Sequence, residues 1–61
     1  MTMTKIICNN IETAGGYIIH ELTISVYLDE SNTIAEDYRA IKDELEIQLG
    51  LRIIKFTFSW A

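Results

Sequence analysis

The segment from residue 34 to residue 49 constrains the fold most, because its pattern predicts one amphipathic helix with defined ends. Its apolar residues recur every three or four positions and form one stripe: Ile34, Tyr38, Ile41, Leu45 and Leu49. Thr33 and Glu36 have the T-x-x-E spacing of a capping box, and Asp37 adds a negative charge to the first turn. Gly50 follows where a left-handed residue commonly ends a helix. The predicted helix spans about 24 Å.

The segments that flank this helix alternate as strands do. Between Tyr17 and Leu28 one face is predicted to hold the more apolar residues Ile18, His20, Leu22, Ile24, Val26 and Leu28. In the last segment, Ile54, Phe56, Phe58 and Trp60 share one face, and Ile53, Lys55, Thr57 and Ser59 share the other. Met3 to Ile11 predicts a further strand, and Gly15-Gly16 behind it predicts a hairpin turn.

The order of these elements predicts one small α+β domain over residues 1–61. Its β-β-α-β arrangement gives a three-stranded sheet with one helix packed on one face. The second and third strands run parallel in space, so they could be neighbours through a right-handed crossover. The first strand could instead lie between them, in the order 2-1-3 with every pairing antiparallel. The second arrangement is favoured, because antiparallel sheets tolerate one wet face and these strands have mixed outer faces.

The second strand is too long for the helix that must cover it. Twelve residues in a strand reach about 40 Å, well beyond the predicted helix. One end of its apolar face, either Ile18 with His20 or Val26 with Leu28, is therefore predicted to lack a cover. A bulge or bend would resolve the mismatch within the monomer. Pairing with a second subunit would resolve it too, and would also occupy exposed strand edges.

Charge is concentrated in the middle of the chain. Residues 29–49 contain seven carboxylates against Arg39 and Lys42, whereas residues 50–61 carry only Arg52 and Lys55. Direct nucleic-acid binding is not expected, since affinity for phosphates comes from Lys and Arg. No apolar run approaches the ~20 residues that span a bilayer, and residues 1–5 lack the apolar region of a signal peptide. Cytoplasmic residence is expected, also because a lone cysteine fits a reducing compartment.

Residues for catalysis or cofactor binding are scarce. His20 is the only histidine, and no orienting partner is evident beside it. With one histidine and one cysteine, Cys8, no metal site is predicted. Gly15-Gly16 precedes a strand rather than a helix, so it does not match a phosphate loop, and no cofactor is predicted. An enzyme built across subunits from His20, Arg52 and Tyr27 is the weakest hypothesis; the chain is not expected to be an enzyme.

The back of the helix is the candidate site for a protein partner. Ile47 lies about 200° around the helix from the apolar stripe, close to Ala40 and among carboxylates. An apolar spot within acidic residues is typical of some interfaces, although a solvated face is the simpler interpretation. Arg39 with Asp43, and Lys42 with Glu46, have the spacing of helical ion pairs. The candidate partner-binding residues are Glu36, Asp37, Ala40, Asp43, Glu44, Glu46 and Ile47.

These features predict a non-catalytic small acidic protein that binds and occludes a partner protein. Carboxylates and phosphates attract the same cations, so the partner is expected to have a basic, nucleic-acid-binding surface. An inhibitor from a phage or another mobile element would have these properties. The alternative is a structural module, a homodimer paired through the long second strand. No direct contact with nucleic acid or membrane is expected.

Overall fold

The computed structural model describes residues 2–61, which form three strands and one helix. In chain order these are β1 (Thr2–Thr13), β2 (Ile18–Leu28), α1 (Ile34–Leu49) and β3 (Ile53–Trp60). The sheet order is β2-β1-β3, and β1 pairs antiparallel with both neighbours. The predicted β-β-α-β architecture and the 2-1-3 order are confirmed. β1 is longer than the predicted segment, starting one residue earlier and ending two residues later.

The helix begins and ends at the predicted residues, because both caps form. The Thr33 hydroxyl accepts a hydrogen bond from the Glu36 backbone N–H (3.2 Å), and the Glu36 carboxylate accepts one from the Thr33 N–H (2.9 Å). At the other end Gly50 adopts φ 66° and donates its N–H to the Glu46 carbonyl (2.9 Å). A residue with a side chain would be strained at this φ, so glycine sets the end of the helix.

One face of the sheet packs against α1 and forms the core. Ile41 and Leu45 of the helix are fully buried with Ile6, Cys8 and Ile11 of the central strand. Tyr38 stacks on Phe56 of β3, with ring centroids 4.5 Å apart. Ile34 departs from the predicted apolar stripe, because it is 69% exposed. It lies in the first turn, which has helical neighbours on only one side along the axis.

The central strand bends at Asn10, and the side-chain alternation of the sheet shifts there. Asn10 has φ 51°, a left-handed conformation that Asn tolerates better than most residues. The pairing of β1 with β3 shifts register between Asn9 and Glu12 and again before Thr13. Cys8 and Ile11, three residues apart, are therefore both buried. The bulge considered for the overlong second strand is not found on β2, which keeps one register with β1 from Thr2↔Leu28 to Glu12↔Ile18. The irregularity lies on β1, where it pairs with β3.

The bend corrects two sequence-based face assignments. On β2, Ile19 rather than His20 packs against the core, and Ile18 is 60% exposed. On β3, Ile53 is buried and Ile54 is exposed, the reverse of strict alternation. The helix side of β2 is covered at Ile24, Val26 and Leu28, and near the start of the strand Ile19, paired with the buried Ile11, occupies that side. Ile18 and His20, one of the two pairs predicted to lack a cover, are exposed because they lie on the face of the sheet opposite to Ile19.

Candidate protein-binding face

Ile47 is the most exposed large apolar side chain of α1, at 76% exposure. It lies one helical turn after Asp43, and Glu36 falls on the same side two turns earlier, because residues at i, i+7 and i+11 share a helix face. All three are exposed. We call Glu36, Asp43 and Ile47 the outer helix face. It combines one apolar side chain with two carboxylates and lies opposite the buried pair Ile41 and Leu45.

The other four predicted partner-binding residues are less available than this face. Glu44 is half-buried and accepts a hydrogen bond from the Gln48 amide (3.0 Å). Glu46 is also half-buried, and its carboxylate accepts the backbone N–H of Ile53 (2.9 Å), which joins α1 to β3. Ala40 shares the side of Ile47 by its i, i+7 spacing, but it is partly buried against the core and offers less exposed surface.

Asp37 departs furthest from its predicted surroundings. It is 8% exposed and lies on the buried side of the helix with Ile41 and Leu45. Its Oδ1 accepts a hydrogen bond from the Asn32 side-chain amide (3.2 Å). Asp37 therefore contributes to a concave region at the N-terminal end of the helix and does not lie on the outer helix face.

The outer helix face keeps its negative charge uncompensated by ion pairs. Within residues 2–61 the one salt bridge joins Lys55 and Glu12 (3.4 Å) across neighbouring strands. The predicted pairs Arg39–Asp43 and Lys42–Glu46 do not form. Hydrogen bonds from Thr33, first from its backbone N–H and second through its hydroxyl, hold the pKa of Glu36 below its ordinary value. This carboxylate is therefore charged at neutral pH.

No protein-family model, no curated protein and no solved structure matches this chain. Function is therefore inferred from the chain's own residues. In the part of the chain that the structure describes, no group of three or more histidine, cysteine or acidic side chains could hold a metal ion. No helix there combines the length and apolar character needed to cross a bilayer.

The three residues considered for a site across subunits do not meet within one chain. His20 and Tyr27 are seven residues apart on β2, which places them about 23 Å from each other. Arg52 precedes β3, where its carbonyl accepts the Ala14 N–H (2.9 Å). These side chains therefore do not form a convergent set on the monomer.

A concave region that the sequence pattern did not predict lies at the N-terminal end of the helix. It is a groove of about 350 Å³ between the start of β1, the end of β3 and the first turn of α1. Trp60 and Asp37 both line it. The acidic loop at residues 29–30 is evident in the sequence and indicates part of this region. Its proximity to Trp60 depends on where β3 ends, and the periodicity of the sequence does not determine that.

Proposed function

We propose that this chain is a non-catalytic acidic protein that binds and occludes a partner protein with a basic surface. The observation that carries the proposal is the 76% exposure of Ile47 beside the carboxylate of Asp43, which has no ion-pair partner among the described residues. An apolar centre gives affinity when it is desolvated, and the surrounding charges give steering and specificity. The net charge of −4 favours association with a cationic protein.

Occlusion of a nucleic-acid-binding surface follows from the same chemistry. Two carboxylates on one helix face compete with phosphates for the lysines and arginines of such a surface. A phage or mobile-element inhibitor of a nucleic-acid-binding protein is the class of protein that we infer. Its binding is expected to weaken as salt rises, because exposed charges are screened beyond about 10 Å at 0.1 M salt.

The test is affinity capture with three immobilised forms of the protein. The wild type is compared with the double variant Asp43→Lys/Ile47→Ser and with the control Glu21→Lys. Glu21 is exposed on β2, on the face of the sheet away from α1, so the control changes charge without changing the outer helix face. A basic protein retained by the wild type and the control, but lost with the double variant, supports the proposal. Equal retention by all three forms would refute it.

A homodimer through β2 is the second candidate function. β2 is an edge strand of the described sheet, and Ile18 at its start is 60% exposed. An exposed strand edge is a template for pairing with another chain. Sedimentation velocity at micromolar concentration should then show a dimer that Ile18→Lys converts to a folded monomer. A wild type that sediments as a monomer would remove this candidate.

A further inference from the structure

The groove at the N-terminal end of α1 exists because β1 extends past the end of β3. The last pairing between these strands joins Ile6 to Trp60, and the Ala61 N–H then donates to the Lys5 carbonyl (3.2 Å). Beyond that point Thr2 and Thr4 are paired only with β2. The edge of β1 that a longer β3 would pair with is therefore open beside Thr2 and Thr4, and these two residues line the groove. Its volume lies within the range of about 300–1,000 Å³ typical of ligand sites.

The groove is acidic and holds no basic side chain of its own. Asp29, Glu30 and Asp37 line it, and no Lys, Arg or His does so among the described residues. Asp37 is more than nine-tenths buried, and only its Oδ1 accepts a hydrogen bond, from Asn32. No cation from residues 2–61 pairs with this carboxylate. No side-chain oxygen or nitrogen of the described residues is both buried and without a partner, so the second Asp37 oxygen is reached by solvent from the groove. A cationic donor in the groove could therefore form a charge-assisted hydrogen bond with it.

An aromatic side chain completes the groove. Trp60 is 55% exposed although it lies near the core, and it contacts Phe58 at 6.0 Å between ring centroids. Its indole N–H donates to no acceptor among the described residues. Tryptophan is the best aromatic partner for a cation, and it stacks well with a planar guanidinium. Tryptophan is also one of the residue types that are enriched among the energetically dominant residues of protein interfaces.

We propose that this groove binds the side chain of an arginine from the partner protein. The guanidinium stacks on Trp60 and donates to Asp37, with Asp29 and Glu30 at the rim. Arginine fits better than lysine, because its planar fork can donate two hydrogen bonds to a carboxylate while its face contacts the indole. The proposal deepens the proposed function and rests on it, since it names how one residue of the basic partner is recognised.

The probe that tests the groove directly is N-acetyl-arginine amide, with N-acetyl-citrulline amide as its neutral counterpart. Trp60 is the only tryptophan, so its fluorescence reports on the groove alone. Titration at low salt should give a saturable change with the arginine probe and none with citrulline. In ¹⁵N spectra the shifted signals should include the Trp60 indole and the amides of Thr2 and Thr4.

Three isosteric substitutions locate the binding. Asp37→Asn keeps an oxygen for the Asn32 hydrogen bond and should weaken the arginine probe roughly tenfold, the loss of one charge-assisted contact. Asp43→Asn, on the outer helix face, makes the same charge change and should leave binding within about twofold. Glu30→Gln, at the exposed rim, should weaken binding by a smaller factor. It keeps the test decisive if Asp37→Asn does not fold.

Equal binding of citrulline, equal weakening by Asp43→Asn, or the absence of a saturable change would each overturn the arginine site. These failures are distinguishable from failure of the proposed function. Partner capture depends on Asp43 and Ile47, and it can persist when the isolated arginine probe does not bind. If Asp43→Lys/Ile47→Ser abolished capture and the arginine probe did not bind the groove, the outer helix face would remain as the only proposed recognition surface.

Discussion

Cys8 is a single residue whose environment determines its chemistry. It is fully buried in the centre of β1, and burial raises the pKa of its thiol from 9.0 to about 11, because a thiolate would lose its hydration. Below pH 9 the thiol is protonated in both the folded and the unfolded chain. Between pH 9 and 11 the unfolded chain loses the proton first, so the free energy of unfolding must fall as pH rises.

We predict a decline of at most about 1.4 kcal/mol per pH unit from this group over that interval. Urea denaturation at a series of pH values measures it. Cys8→Ala is the control: it lowers stability at all pH values by removing core volume, and its profile should lack the Cys8 contribution to the alkaline decline. Parallel profiles for the two proteins would show that Cys8 is not the titrating group.

Two isoleucines of the same helix differ in what they stabilise. Ile41 is fully buried and Ile47 is 76% exposed. Removing one methylene by Ile41→Val should therefore lower the free energy of unfolding by about 0.5–1.5 kcal/mol. Ile47→Val should change it by less than about 0.5 kcal/mol, since surface substitutions away from special features have little effect. Chemical denaturation measures both, and equal losses would mean that Ile47 packs within the fold.

The sequence predicted both ends of α1 correctly, because the capping residues and the apolar stripe indicate the same helix. Thr33, Glu36 and Gly50 fix the ends by local hydrogen bonding, which needs no knowledge of the tertiary fold. The same reasoning misplaced Ile34 and did not predict the burial of Asp37. The helical spacing of apolar residues assumes that the sheet covers every turn of the helix equally. Whether the sheet covers the first turn depends on where β1 and β3 end.

The first turn of α1 gives a pH-dependent prediction. Hydrogen bonding to the Thr33 backbone N–H lowers the pKa of Glu36 relative to the unfolded chain. A lowered pKa contributes stability that is fully present above the ordinary value of 4.5 and is lost as pH falls through the folded value. Glu36→Gln keeps a capping side chain at this position, so it should reduce this acid-induced decline without preventing folding. Thermal unfolding of both proteins from pH 6 to pH 3 measures the difference, and identical slopes would contradict it.

The position of the bend, in β1 at Asn10, is not predicted by the sequence, which offered a bulge or bend only for the second strand. An asparagine in the left-handed conformation does not change the pattern of apolar and polar residues in the sequence. Strict alternation of side chains was therefore expected along all of residues 17–28 and 53–60. The bend explains why Ile19 and Ile53 face the core.

Substitution of Asn10 tests the bend. Because φ is 51° there, Asn10→Gly should be tolerated with little change in the free energy of unfolding. Asn10→Val should cost roughly 1–2 kcal/mol, since a left-handed conformation brings the Cβ atom too close to the backbone. Denaturant unfolding of the two variants measures the contrast. A valine variant as stable as the glycine variant would show that the strand is not bent at this residue.

At the scale of the whole molecule, buried and available surfaces are clearly separated. The core uses one face of the sheet and one side of α1, which leaves the outer helix face along the other side of the helix and the groove at its N-terminal end. Both are negatively charged, and a large apolar or aromatic side chain lies in each. Under the proposed function, these two places would contact a cationic partner at more than one point.

The sequence indicated that the exposed surface is acidic with an apolar residue, but it did not indicate how these residues are arranged. The acidic segment 29–49 and the lone apolar residue Ile47 are visible in the printed chain. The groove is not, because Trp60 is separated from Asp29 and Asp37 by more than twenty residues and meets them only through the sheet order. Long-range placement of this kind requires the tertiary structure.

Occlusion by the outer helix face is the central claim, and a displacement experiment tests it most directly. The basic protein retained in the capture experiment is first loaded with a fluorescently labelled oligonucleotide. Fluorescence anisotropy then follows release of the oligonucleotide as this protein is added. We expect the wild type and Glu21→Lys to displace the oligonucleotide at similar concentrations, and Asp43→Lys/Ile47→Ser to need an at least tenfold higher concentration. Binding to the partner without release of the oligonucleotide, or equal displacement by all three proteins, would contradict it.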